Sequence, residues 1–281
     1  MLSKWVLLTT AFLFVSVSFF VPAESAASGD YLKSAGCKTE FYLLKDLADA
    51  YQEKTGTKLR TAKTGNKKAV NLMLSDSVDF TFTCKPINKL SRKLKLDTGE
   101  VGHWQSTPIA KDPIVVVSNT KNGVASLSVK QLTSVFKGET KNWAELGGSN
   151  LPISVTYLDP ELESGSLLLF KEFTVGAKGS LTPDAKFLAG PTMIGNFVSR
   201  TPGGVTFMSL TSYRDGYGDI LAIDGVVPSK QSIEDGSYQL SATYYLTLDG
   251  KNNAMIENFV AYCMSEEGQQ IIARNFIPYS K

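Results

Sequence analysis

The sequence predicts an α/β fold in which a mostly parallel β-sheet is flanked by helices. Short runs rich in β-branched and aromatic residues alternate with amphipathic helical segments along most of the chain. This alternation is typical of βαβ units, whose strands lie parallel because a helix forms each crossover. Roughly 250 residues follow an N-terminal leader, more than one usual domain needs, so the length permits two lobes.

The first α/β region begins with a helix predicted over residues 40–54. Its apolar residues recur at helical spacing, and Gly56 follows as a C-cap signal. A strand is then predicted over residues 57–62, a helix over 67–74 and a second strand over 78–83. These elements form a strand–helix–strand unit, which predicts parallel pairing in this region.

A second α/β region follows the apolar stretch PIAKDPIVVV, residues 108–117. The elements predicted there are a helix over 129–136, the β-prone stretch LPISVTYL, a helix over 166–174, a turn at 202–204 leading into VTFMSL, and a strand within YQLSATYYLTL, residues 238–248. PIAKDPIVVV and YQLSATYYLTL each look like a strand that crosses between lobes. The predicted boundaries are therefore 28–112 for the first part of lobe 1, 113–239 for lobe 2, and 240–281 for the return to lobe 1.

The N-terminus has the pattern of a secretory signal peptide, which we assign to residues 1–27. Lys4 precedes an apolar run from Trp5 to Val21, and small residues suited to cleavage follow that run. Two alternatives stay open. The run is near the lower limit of ~17 residues for a membrane-spanning anchor, and small residues precede Cys37 as they do in a lipidated cysteine. Cleavage predicts a periplasmic protein.

Composition excludes several functional classes. The 29 basic and 27 acidic side chains nearly balance, so the chain has no field that predicts binding to nucleic acid or to a membrane surface. His103 is the single histidine, which excludes a multi-histidine metal centre. It also leaves no Cys-His-Asn or Ser-His-Asp order that could activate a nucleophile. We therefore expect no enzyme activity, no metal and no cofactor.

The three cysteines are an odd number for an oxidising compartment. Cys263 falls on the apolar stripe of a predicted amphipathic helix, where cysteine behaves as a small hydrophobic residue. In DFTFTCKPI, residues 79–87, the Lys-Pro pair cannot continue a central strand, so Cys84 is placed where a strand ends in a loop. The positions of Cys37 and Cys84 therefore need another explanation.

Four segments have the form expected of a ligand site in an open α/β sheet. In such folds the ligand lies beyond the carboxyl ends of the strands, where helix N-termini present unpaired N–H groups. The four segments are SAGCKTEF, AKTGNKKAV, FTFTCKPI and ELESGSLLLF, which start at residues 34, 62, 80 and 161.

Taken together and in order, these segments resemble the phosphate-family substrate-binding proteins of ABC importers, which have the type II periplasmic binding-protein fold. The most specific match is IAKDPIVVVSNTKNGVASLSVKQLTSVFKGETKNWAELGG, and further matches are AGCKTEF, DFTFTCKPI, ESGSLLLF, RTPGGVTFM and MSEEGQQIIARNFIP. The resemblance implies two lobes, each a mostly parallel sheet flanked by helices, with two crossover strands as the hinge. It also implies a small anionic ligand and an ABC permease as partners of an exported protein, which we expect to be a monomer.

The resemblance further implies which residues contact the ligand. They are Cys37, Lys38, Thr39, Gly65, Asn66, Thr83, Cys84, Lys85, Ser164, Gly165 and Ser166. Two positions depart from the family, because Cys84 stands where an aspartate or serine is common and Pro160 or Leu158 stands near the usual arginine. A thiol is a weak hydrogen-bond partner and a lysine replaces arginine only as a point charge. We therefore expect weaker phosphate binding than in relatives that have both groups.

If the loops lie as the resemblance implies, Cys37 and Cys84 occupy adjacent ligand-facing loops, and three interpretations stay open. The pair could form a disulfide that staples the site. A reduced pair could capture a soft, thiol-seeking ligand. Two separate thiols could also just shape the pocket. The alternative function is therefore an orphan periplasmic sensor-type protein, which binds a non-phosphate or thiol-seeking ligand and docks on a membrane sensor.

Overall fold

The structure is a computed structural model that describes residues 31–36, 40–162, 164–251 and 254–279. The predicted signal peptide, residues 1–27, lies outside the described residues. Among the described helices, none combines the length and apolar character needed to cross a bilayer.

Eleven strands are described. They are β1 (Tyr31–Gly36), β2 (Lys58–Lys63), β3 (Phe80–Thr83), β4 (Gln105–Ser118), β5 (Ser126–Leu127), β6 (Ser154–Leu158), β7 (Lys186–Leu188), β8 (Gly204–Ser209), β9 (Asp219–Ile223), β10 (Ser241–Leu248) and β11 (Ile277–Pro278). The described α-helices are α1 (Phe41–Thr55), α2 (Asn66–Leu74), α3 (Ile87–Leu94), α4 (Thr98–Val101), α5 (Val129–Lys137), α6 (Gly165–Thr174), α7 (Pro191–Arg200), α8 (Lys230–Glu234), α9 (Ala254–Met264) and α10 (Glu266–Ile272).

The elements predicted from sequence lie within a few residues of those observed. The first predicted helix is α1, which ends at Gly56 in the left-handed conformation with φ 79°. Such a φ suits glycine, because it has no Cβ to clash with the backbone. The strands β2, β3 and β10 and the helices α2, α5 and α6 match their predicted segments. Helices α3, α4, α7 and α8 were not predicted.

The sheet has the order β2-β1-β3-β10-β4-β8-β6-β7. Strand β1 pairs in parallel with β2 and β3, and β6 pairs in parallel with β7 and β8. Strands β4 and β10 pair antiparallel with each other and with their other neighbours β3, β8, β9 and β11. The α/β fold class is confirmed, with parallel pairing in the strand–helix units and antiparallel pairing around β4 and β10.

Strand β4 is the only strand shared by the two parts of this path. Residues 105–113 of β4 pair with β10, whereas residues 114–118 pair with β8. The change of partner occurs at Pro113, which has no N–H group to donate to a sheet. We call β1, β2, β3, β10, β11 and residues 105–113 the first sheet part. The second sheet part comprises β6–β9 and residues 114–118, with β5 paired to β9.

Each sheet part has its own apolar core. The first core joins β1, β3 and β10 to α1, α9 and α10 and includes Phe80, Phe82 and Phe259. The second core joins β6 and β8 to α5 and α6 and includes Trp143, where the rings of Phe170 and Phe207 stack with centroids 3.8 Å apart.

The two cores are consistent with two lobes, but they do not fix the lobe boundaries. The described chain from Tyr31 onward forms one compact unit, and its strands form one continuous path through β4. The predicted boundaries at 112/113 and 239/240 therefore stay predictions.

Cys263 lies in the first core, as its place on an apolar stripe predicts. The residue is fully buried on α9, and this burial raises the pKa of its thiol. Cys263 therefore has a structural role, and the cysteines of interest for the site are Cys37 and Cys84.

Candidate functional site

The site begins where β1 and β3 end side by side. A Cβ on Gly36 would lie well inside van der Waals contact with the Cβ and the carbonyl oxygen of Phe82. Glycine is therefore required for the close approach of these two strands. As a result, the ends of β1 and β3 lie next to each other.

The loop after β2 is held against the end of β1. The Gly36 carbonyl accepts hydrogen bonds from the backbone N–H groups of Thr64 and Gly65, at 2.9 and 3.0 Å. Gly65 has a left-handed φ of 87° and immediately precedes α2. These bonds place the N-terminus of α2 beside the end of β1.

A side-chain contact joins this loop to the loop after β3. The Asn66 Nδ2 donates to the Cys84 Sγ at 3.0 Å, and both residues are partly buried. Cys84 is thus the first residue beyond β3, where the sequence predicted the strand to end. It contacts the N-terminus of α2 and also packs, partly buried, against the first core.

The hydroxyl of Thr83 has partners on neighbouring strands. Thr83 is fully buried, and its Oγ1 lies 3.5 Å from the Thr247 Oγ1. The Thr247 hydroxyl is 2.7 Å from the Ser106 Oγ, which accepts the backbone N–H of Ile87 at 2.8 Å. Sequence reasoning missed Thr247 and Ser106, whose link to the start of α3 depends on strand pairing between distant segments.

Helix α6 contributes the fourth loop. Ser164 is its N-cap residue, and the hydroxyls of Ser164 and Ser166 lie 2.7 Å apart. An ion pair between Lys85 and Glu172 connects α6 to the loop after β3. The hydrogen bond from Lys85 is the main cause that lowers the pKa of Glu172. Lys85, predicted to contact the ligand, binds Glu172 in this structure.

The N-cap residues of the helices that start at these four loops make no side-chain cap hydrogen bond. They are Glu40, Gly65, Pro86 and Ser164, for α1, α2, α3 and α6. At α3, the Ser106 Oγ from β4 accepts the first N–H, that of Ile87. Serine side chains cap α5, α8 and α10 elsewhere in the described chain, whereas α7 also has no side-chain cap. The first N–H groups of an uncapped helix are available to an anion, and the helix dipole favours negative charge there.

A lysine that the sequence analysis did not consider lies near the first loop. The Lys63 ammonium is 4.0 Å from the ring centroid of Phe41 and 4.7 Å from that of Tyr42. Phe41 is the first residue of α1, so this cation lies beside the N-terminus of that helix. The sequence feature that could have indicated Lys63 is its position directly before the Thr-Gly-Asn loop.

The structure brings together five of the predicted site residues at the loops after β2 and β3: Gly65, Asn66, Thr83, Cys84 and Lys85. Ser164, Gly165 and Ser166 lie at the start of α6, which the Lys85–Glu172 pair links to these loops about two turns further along the helix. Cys37, Lys38 and Thr39 lie outside the described residues, and so does the possible disulfide of Cys37 with Cys84. The described residues contain no cluster of three or more metal-ligating side chains. The two described cavities are lined by residues other than those of the four loops.

Residues 21–267 match the PBP superfamily domain. The chain belongs to this superfamily. Protein SphX of Synechococcus elongatus is 24% identical over 94% of this chain and 82% of its own length. The phosphate-binding protein PstS of Staphylococcus saprophyticus is 22% identical over 92% of this chain and 83% of its own length.

Solved structures agree with this membership. An ABC-type phosphate transport receptor from Vibrio cholerae superposes with a TM-score of 0.75 at 20% identity, covering 88% of this chain and 99% of that protein. The resemblance deduced from the motifs and the type II periplasmic binding-protein fold are thereby confirmed.

Proposed function

We propose that the protein is an exported solute-binding protein that captures a small oxyanion, phosphate or a phosphate-like anion, between two lobes for an ABC importer. The observation that carries this proposal is that β1, β2 and β3 are neighbouring parallel strands followed by α1, α2 and α3, whose N-cap residues make no side-chain cap hydrogen bond. Such N-termini supply N–H donors and partial positive charge without a metal or cofactor. The relatives named as phosphate-binding proteins support the choice of anion.

Side chains around these helix starts and at the start of α6 complete the proposed site. The Asn66 amide and the hydroxyls of Ser164 and Ser166 can donate hydrogen bonds to anionic oxygens. Lys63 and Lys85 can supply positive charge, although Lys85 would have to leave Glu172 to reach an anion directly. Because lysine is a point charge, phosphate should bind less tightly than to a relative with a bidentate arginine.

Titration calorimetry with phosphate, sulfate, arsenate and arsenite tests the proposal, each with and without a reductant. We expect phosphate or arsenate to bind whether or not the reductant is present, and intact-mass measurement will report the state of the cysteines. Absence of binding by every oxyanion under both conditions would contradict the proposal.

One observation favours a second candidate function. The Cys84 sulfur accepts a hydrogen bond from Asn66 across the loops after β2 and β3, so a thiol is present where the anion is proposed to bind. A reduced Cys37 and Cys84 pair would suit a soft, thiol-seeking ligand of a sensor-type binding protein. Arsenite binding that needs the reductant, together with no phosphate binding, would support this candidate over the first.

We propose binding without catalysis. His103 would have to act as the base for a cysteine nucleophile, and it lies next to Trp104 in the segment before β4, whereas Cys84 lies between β3 and α3. Incubation with a small activated ester and mass spectrometry tests this point. A covalent acyl group on Cys84 would show that the protein has nucleophilic chemistry.

The proposed export has a separate test. Fractionation of cells that express the full chain should place a shortened protein in the extracytoplasmic fraction, with a new N-terminus near residue 28. A full-length protein retained in the membrane would favour the uncleaved anchor, and a lipid on Cys37 would favour the lipoprotein.

A further inference from the structure

A buried carboxylate lies in β4 at the point where this strand changes partners. Asp112 is 2% exposed and immediately precedes Pro113, after which β4 pairs with β8 instead of β10. The pairing of β10 with β4 also shifts register between Tyr244 and Tyr245. A proline and a β-bulge weaken the sheet ladder locally, so the strand pair is easier to bend here than elsewhere.

Asp112 accepts hydrogen bonds from both sheet parts. The Ser209 hydroxyl, at the end of β8, lies 2.7 and 2.6 Å from its two carboxylate oxygens. The Tyr244 hydroxyl, on β10 and in the first core, donates to the Oδ2 at 2.8 Å. The Thr211 N–H donates to the Ser209 Oγ at 3.2 Å and also lowers the pKa of the carboxyl, and the Thr211 hydroxyl is 2.6 Å from the Ser209 Oγ. One carboxylate therefore links both sides of the crossing.

The charged side chains around this crossing make other contacts. On β4 itself, the Lys111 ammonium donates to the Ile233 carbonyl at 2.7 Å and lies 5.7 Å from the ring centroid of Tyr279, beyond β11. Beyond β8, Arg214 donates to the carbonyls of Thr211 and Tyr213. The groups that face Asp112 from β8 and β10 are thus hydroxyls and a backbone N–H. Burial raises the pKa of Asp112 to about 6, although its hydrogen bonds from Ser209, Tyr244 and Thr211 act in the opposite direction.

We propose that Asp112 is a positioning residue for closure of the two predicted lobes, acting through Ser209 and Tyr244, and that its protonation weakens ligand binding. The inference rests on the proposed function. A charged carboxylate accepts every donor around it, whereas a protonated carboxyl must itself donate from one oxygen. Protonation therefore removes one acceptor from a network that joins β8 to β10. The closed arrangement then loses part of the hydrogen bonding that stabilises it.

The test compares the wild type with Asp112→Asn, which has the shape of the acid but no charge. Phosphate affinity is measured from pH 5.0 to 7.5 for both proteins. Because phosphate titrates equally in both measurements, its effect cancels in the ratio of the variant and wild-type dissociation constants at each pH. We expect the variant to bind about tenfold more weakly at pH 7.5. At pH 5.0, where most of the wild type is protonated, the difference should fall below about twofold.

Two further variants keep the test decisive. Thr156→Val removes a buried hydroxyl from β6, where the Thr156 Oγ1 donates to the Lys186 carbonyl at 2.7 Å, and it should leave the pH profile unchanged. Tyr244→Phe removes one donor from the charged carboxylate. It should therefore move the loss of affinity to a higher pH. This variant replaces Asp112→Asn if the asparagine protein does not fold.

A second readout does not depend on the ligand. Hydrogen exchange of residues 105–118 and 241–248, corrected for intrinsic rates and for the global stability that urea unfolding gives at each pH, should show less protection at pH 5.5 than at pH 7.5 in the wild type but not in Asp112→Asn. A ratio of dissociation constants that stays constant with pH overturns the inference. If neither protein binds phosphate, the proposed function fails, and equal exchange behaviour of the two proteins would then overturn the inference about the hinge.

Discussion

At Gly36, the absence of a side chain decides how closely β1 approaches β3. The Cβ of any other residue would overlap the backbone of Phe82, which cannot move away because it is paired in the sheet and buried in the first core. The same residue supplies the carbonyl that anchors Thr64 and Gly65. One glycine therefore controls both the packing of the sheet and the position of the Thr64–Gly65 loop, which we propose contacts the ligand.

We predict that Gly36→Ala destabilises the protein by at least about 2 kcal/mol, because overpacking a rigid site costs energy that the backbone cannot relieve. Urea unfolding measures the change. Gly99→Ala is the matched control, since a Cβ at Gly99 has only ordinary contacts, the nearest with the Asp97 side chain at 3.5 Å. Equal stability of the two variants would show that β1 and β3 can move apart.

Asp112 predicts how stability depends on pH. The pKa of Asp112 is about 6 in the native state and has its ordinary value of 3.8 in the unfolded chain. Between these two pH values the native state therefore holds a proton that the unfolded chain has released. The stability from this group is therefore absent at pH 7.5 and is gained as the pH falls through 6 toward 4. Relative to Asp112→Asn, the wild type should gain about 2 kcal/mol between pH 7.5 and 4.5. If the free energies of unfolding of the wild type and Asp112→Asn, measured in urea, differ by the same amount at both pH values, this assignment is contradicted.

At the scale of an element, serine N-caps serve two purposes in this chain. The Ser265 hydroxyl accepts the Gly268 N–H at 3.2 Å and so satisfies the start of α10. Ser164 has the same position in α6 but makes no cap bond, and its hydroxyl lies against Ser166. Local sequence cannot distinguish these cases, because both are a serine before a helix.

The two caps predict opposite outcomes of the same substitution. Ser265→Ala should cost about 1 kcal/mol of stability and leave phosphate affinity unchanged. Ser164→Ala should change stability little and weaken binding by about 1.5–3 kcal/mol, since a hydrogen bond to a charged group is lost. Thermal unfolding and calorimetry on each variant measure both quantities. If Ser164→Ala leaves affinity unchanged, Ser164 is not a ligand residue.

At the scale of the whole molecule, the Lys85–Glu172 pair connects a loop of the first sheet part with a helix of the second. The two side chains are 28% and 51% exposed, and Lys89 and Lys93 also lower the pKa of Glu172. An exposed pair contributes little energy, so its effect on closure should be modest and should weaken in salt.

We predict that Glu172→Gln increases the rate of phosphate dissociation about two- to fivefold at low salt, because the bound state loses one link between the sheet parts. Stopped-flow displacement measures this rate. The control is Glu139→Gln, whose partner Lys137 lies only two residues away. An effect of the same size in both variants would show that the Lys85 pair has no special role in retention.

Local patterns in the sequence were sufficient to determine several features of this protein. Helical periodicity and Gly56 placed α1, and Lys-Pro after a β run placed Cys84 at the end of β3. These features depend on residues close together in the chain, so periodicity and turn chemistry report them directly. The order of the motifs also carried the resemblance to the phosphate-binding proteins, which the superfamily match confirms.

Only the tertiary structure decided which partners these residues have. Nothing near Thr83 in the sequence indicates that its hydroxyl meets Thr247, and nothing near Lys85 indicates Glu172. Asp112 is likewise a plain polar residue in the sequence, yet strands from both sheet parts bury it. The physical reason is that hydrogen bonding and desolvation depend on segments more than 80 residues apart, which strand pairing brings into contact.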